Sequence, residues 1–80
     1  MTNDQEQSLQ DLTGLIHELT TLELNRFERM GVLAIWLGGT CDALGLATRA
    51  GAATDDDKET GLEMINMLAE KLDQLRKEEG

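Results

Sequence analysis

The segment Phe27–Arg49, FERMGVLAIWLGGTCDALGLATR, most narrows what this chain can become, because no other stretch is apolar enough to be buried on more than one side. Read as a helix, it sets Gly31, Gly38 and Gly45 seven residues apart, with Ala52 next in the series and Ala34, Cys41 and Thr48 at the three-residue offset. Residues three, four and seven apart share a helical face, so these small side chains form a stripe that another backbone can approach closely. Phe27, Met30, Leu33, Leu37 and Leu44 run beside the stripe, and Val32, Ile35, Trp36 and Leu46 cover much of the rest. A helix apolar nearly all round belongs in the middle of a bundle. Glycine in a helix interior costs about 0.5–1 kcal/mol relative to alanine, so three in register imply a packing role.

The rest of the chain is periodic in the same helical sense. It has no proline, and its only aromatics are Phe27 and Trp36, so the runs that mark strands are missing. Leu9, Leu12, Leu15, Ile16, Leu19 and Leu22 make an apolar stripe that predicts a first helix over about 5–19. Asn3 with Glu6, or Ser8 with Asp11, offers it a cap, and Gly14 weakens it. Thr20 and Glu23 form a capping box flanked by Leu19 and Leu24, which predicts a second helix over about 21–48; one kinked helix from 5 to 48 is the competing reading. Gly38–Gly39 is the place for a bend. Gly51 suits the left-handed residue after that helix. Thr54 followed by Asp55, Asp56 and Asp57 starts a third helix over about 54–77, with Leu62, Ile65, Leu68, Ala69, Leu72 and Leu75 as its buried stripe and Gly61 on the same side. The ends, 1–4 and 78–80, are expected to fray.

The fold class that follows is all-α: a hairpin of the second and third helices plus the N-terminal helix, assembled as a homodimeric bundle. Eighty residues make one domain whose core is marginal without a staple. A single cysteine excludes an intrachain disulfide, and one histidine beside it argues against structural zinc, which leaves oligomerisation. The interface expected is the small stripe with its large neighbours: Gly31, Ala34, Gly38, Cys41 and Gly45 with Leu37, Leu44 and Trp36. The lone cysteine and an N-terminus without signal-peptide features point to the cytoplasm. Residues 30–47 are also weighed as a membrane span; Asp42, Thr40, three glycines and the charged flanks argue against it.

No catalytic, cofactor or metal set is expected. His17 lacks a nucleophile or pocket nearby, and Cys41 has only Asp42 beside it, which opposes a reactive thiolate. Asp42 is the sole charge between Arg29 and Arg49; it reaches the surface or pairs with an arginine. The acidic run at 55–57 lacks calcium-loop spacing, and capping explains it. Gly38–Gly39 follows no strand and is no phosphate loop.

Charge carries the functional expectation, with solubility alone as the other reading of the acids. The formal net charge is −9, with four acids and no base in residues 1–18 and nine acids against four bases in residues 51–80. Direct binding to nucleic acid is disfavoured, because phosphate contacts need a basic patch. A non-enzymatic protein-binding or regulatory module is expected. It acts through an acidic helical surface, with Glu63, Glu70 and Asp73 as contacts and Met64 and Met67 as apolar ones, and it inhibits a partner with a basic, nucleic-acid-binding surface. The alternative is a small-molecule-binding oligomer with a pocket between protomers, for which Asp42, Thr40 and Arg49 are the polar candidates. Short acidic helical chains without a catalytic set are common among phage-encoded inhibitors and small bacterial regulators.

Overall fold

Three helices account for nearly all of residues 3–78, the part of the chain that the computed structural model describes. They are α1 (Asn3–Thr21), α2 (Arg26–Arg49) and α3 (Asp55–Lys77), and the described residues contain no strand. Of the ends expected to fray, residues 1, 2, 79 and 80 lie outside the described part; Asn3 and Asp4 are already helical and Glu78 is the C-cap of α3.

The break between α1 and α2 falls later than the sequence suggests. Thr20 does not cap α2: its hydroxyl and that of Thr21 donate back to the carbonyls of His17 and Glu18 at 2.6 and 2.7 Å, closing the last turn of α1. The capping box is instead Asn25 with Glu28, each side chain meeting the other's backbone N–H, at 2.9 and 3.2 Å. Asparagine is among the strongest N-caps, which explains why it wins. Ser8 is no cap either, since its hydroxyl donates to the Asp4 carbonyl inside α1. The elbow is held by Arg29, whose Nη2 donates to the carbonyls of Leu22 at 3.1 Å and Thr20 at 3.5 Å. α1 has no basic residue in its own last turn, so Arg29 supplies the positive charge that a helix C-terminus favours. Its Nε is buried without a partner.

The α2–α3 turn is as expected. Gly51 has φ +69°, and the N–H groups of Gly51 and Ala52 donate to the carbonyls of Thr48 and Ala47, the paired bonds of a Schellman motif. Thr54 caps α3, its hydroxyl accepting from the Asp57 N–H at 3.1 Å while the Asp57 carboxylate accepts from the Thr54 N–H at 3.0 Å. The other Asp57 oxygen accepts from Gln5 Nε2 at 3.0 Å, which ties the start of α1 to the start of α3. These bonds to Thr54, and then the one to Gln5, hold the Asp57 carboxyl below its ordinary range.

Within one chain the central element is α3, not α2. α2 packs along α3, α1 rests on α3 more lightly, and α1 and α2 scarcely meet. The core is Leu12 and Leu19 of α1, Leu33 of α2, and Leu68 and Leu75 of α3. Leu33 is the only fully buried side chain of α2, although that helix is the most apolar of the three. Helix α2 runs unbroken through Gly38–Gly39. On α3 the expected stripe shifts by a step: Leu62 and Ala69 are exposed, while Thr60 is buried with its hydroxyl donating to the Asp56 carbonyl. Gly61 sits where α2 comes closest, since a Cβ there would lie 3.1 Å from both methyls of Leu44.

The molecule is loosely built for its size. Its radius of gyration is 13.7 Å, against about 11.6 Å for a compact chain of this length. Its accessible surface is 5539 Å², against about 4,800 Å² for a folded monomer of this mass. By length and composition α2 is also apolar enough to cross a bilayer, and little of it is buried.

Candidate functional site

Two surfaces stand out, one charged and one apolar. The charged one is the outer side of α3. Glu59, Glu63, Glu70 and Asp73 are all exposed, and their spacing places them on the side away from Leu68 and Leu75. Asp73 accepts from Lys77 Nζ at 3.1 Å, one turn on, whereas no described residue pairs with Glu63 or Glu70. Met64 and Met67 do not join this face. They are half-buried on the core side, Met64 in the cleft toward α2 and Met67 in a groove with Thr13, Ile16 and Lys71. The acidic and the methionine candidates therefore belong to different surfaces.

The apolar surface is the open side of the α1–α2 layer. Because both helices stand on α3 without closing on each other, a cleft of about 490 Å³ remains between them, floored by Trp36, Met64 and Leu68 and walled by Leu15 and Ile35. Past Leu15 and Trp36 it continues into a second space of about 220 Å³ lined by Leu19, Leu22 and Val32. Along it Ile35 is 74% exposed, Leu22 53% and Leu15 48%, while Phe27 (82%) and Leu46 (61%) are exposed on α2 outside the cleft lining. No single long stripe in the sequence announced this surface, since it is shared by two helices that lie side by side only after both have packed on α3.

The residues expected at an oligomer interface are distributed around α2. Gly31, Ala34, Gly38 and Cys41 are exposed, and a Cβ on Gly31, Gly38 or Gly45 would meet nothing within 4 Å. Leu44 faces Gly61 of α3, Leu37 packs on the core cluster, and Trp36 floors the cleft. Asp42 is exposed and forms no ion pair with a described residue. The polar groups suggested for a ligand pocket do not converge: Thr40 donates to the Trp36 carbonyl at 2.8 Å, and Arg49 Nε to the Gly45 carbonyl at 3.4 Å, both within their own helix. His17 is exposed, and the described residues hold no cluster of three or more His, Cys, Asp or Glu able to take a metal.

No protein-family model, no curated protein and no solved structure matches the chain.

Proposed function

We propose that this chain is a homodimeric, non-enzymatic binding module of the cytoplasm that occupies a basic, nucleic-acid-binding surface of a partner protein. The observation that carries the reading is the outer side of α3, where Glu63 and Glu70 stand two turns apart, exposed and with no cation among the described residues to neutralise them. Capping accounts for Asp55, Asp56 and Asp57 at the helix start, but not for acids in the middle of an exposed face. A net charge of −9 on each copy repels nucleic acid and speeds encounter with a basic surface. Dimerisation is supported by the apolar side of α2 that the single chain leaves uncovered.

The test is capture of nucleic-acid-binding proteins on the immobilised chain across a salt series. A contact made by carboxylates weakens steeply between about 50 and about 300 mM salt, and Glu63→Lys with Glu70→Lys and Asp73→Lys abolishes it without lowering the melting temperature. Capture that ignores salt and survives the triple reversal refutes the acidic contact.

A further inference from the structure

The cleft between α1 and α2 leaves Leu15, Leu22 and Ile35 facing water at its walls, with Leu46 exposed farther along α2, against five buried apolar side chains among the described residues. We propose that this open side packs against the same side of a second copy, with the two α2 helices antiparallel about a two-fold axis between Gly38 and Gly39. The inference rests on the homodimer proposed above and specifies the face that forms it.

Three observations converge on a second copy as the occupant. The first is area: the chain exposes about 750 Å² more than a folded monomer of its mass, close to the roughly 800 Å² that each partner loses in an ordinary stable interface. The second is charge. At 100° per residue, Glu28, Ile35, Gly39, Asp42 and Leu46 fall within about 60° of one another on the side of α2 away from α3, with Arg49 at its edge. Antiparallel pairing about Gly38–Gly39 sets Glu28 opposite Arg49 of the second copy, once at each end of the helix pair, and sets Asp42 beside Ile35 of the second copy, apart from the other Asp42. Parallel pairing would instead set like charges together. The third is space. A Cβ on Gly38 or Gly39 meets nothing within the chain, so two backbones are free to approach at the axis. Leu15, Leu22, Ile35 and Leu46 of each copy then fill the facing clefts, and the two α3 helices lie outermost with their acids in solvent. Asp11 and Glu18 of α1 sit near the rim and each copy carries −9, so this association strengthens as salt rises. That sign is opposite to the one expected for the acidic contact with a partner.

Cysteine placement tests the face. Gly39→Cys is made in a Cys41→Ser background and exposed to copper–phenanthroline, alongside the native chain with its single Cys41. Near the axis the two introduced sulfurs, one from each copy, come within disulfide reach, whereas Cys41 is two residues on and points to nearly the opposite side of the helix. The expected result is a cross-linked dimer for the Gly39→Cys variant and none for the native chain. Ile35→Glu, at a position exposed in the single chain and opposite Asp42 of the second copy, weakens the dimer by about tenfold or more in sedimentation equilibrium while helix content stays constant. A dimer that cross-links through Cys41 and not through position 39 overturns this face and leaves the homodimer standing. A dimer indifferent to Ile35→Glu does the same. A monomer at every concentration, or partition into phosphatidylcholine vesicles in place of self-association, overturns both.

Discussion

Gly61→Ala reports directly on the crossing of α2 and α3. In an open helix this change is stabilising, by about 1 kcal/mol, because alanine is the better helix former. Here the added methyl lands 3.1 Å from both Leu44 methyls and 3.4 Å from Leu44 Cγ, closer than side chains ordinarily pack. Overpacking of that kind costs about 1–3 kcal/mol, so the net expectation is a loss of about 1 kcal/mol, equivalent to a melting temperature lower by about 4–8 °C in a domain of this size. Leu44→Ala removes the obstructing atoms. In that background Gly61→Ala regains its propensity benefit, and the sign of its effect reverses. Urea unfolding of the four proteins, followed by far-UV circular dichroism, measures a coupling of about 2 kcal/mol if the contact exists. A Gly61→Ala gain of about 1 kcal/mol in both backgrounds refutes the close approach of α2 to α3 at this point.

Other substitutions probe the turns and ends. Arg29→Ala removes the side chain that bonds the Leu22 and Thr20 carbonyls, and is expected to cost about 1 kcal/mol, read by urea unfolding. Gly51→Ala, at φ +69°, costs about 1 kcal/mol, whereas Gly14→Ala, with open space around its Cβ, gains about 0.5–1 kcal/mol; thermal melts give the two signs. Asp57 has a folded-state pKa below its ordinary value, so its contribution is complete above about pH 4 and is lost as the pH falls through the lowered folded value. The melting temperature therefore declines on acidification below about pH 4, and Asp57→Asn makes that decline shallower.

The sequence discloses local structure better than it discloses assembly. Thr54 with Asp57, and Gly51, are legible because capping and left-handed turns depend on residues within a few positions of each other. The Thr20 box misleads for the same reason: Thr20 has the right chemistry, but Asn25 with Glu28, five residues on, has it too and is the stronger cap, while the Thr20 hydroxyl turns back into α1. The small stripe of α2 is plain in the sequence, yet periodicity cannot tell which side of a uniformly apolar helix meets α3. Leu33, Leu37 and Leu44 take that side, and Gly31 and Gly38 are left outside. The acidic face of α3 could be read from spacing alone, whereas the cleft could not, because it exists between two helices that hardly touch.

The way α1 is attached has a consequence for hydrogen exchange. Its two ends are pinned, by Gln5 to Asp57 at one and by Arg29 at the other, while Gly14 weakens its middle and only Leu12 and Leu19 are buried along its length. A segment held at two points with a weak centre opens as one unit once either pin is released, rather than fraying from one end. Its amide protons then exchange together and ahead of those in α2 and α3, and each opening uncovers the Leu68 side of α3 without unfolding the hairpin. In the single chain α1 is thus the element held most lightly, and a second copy seated on Leu15 and Leu22 would slow its exchange.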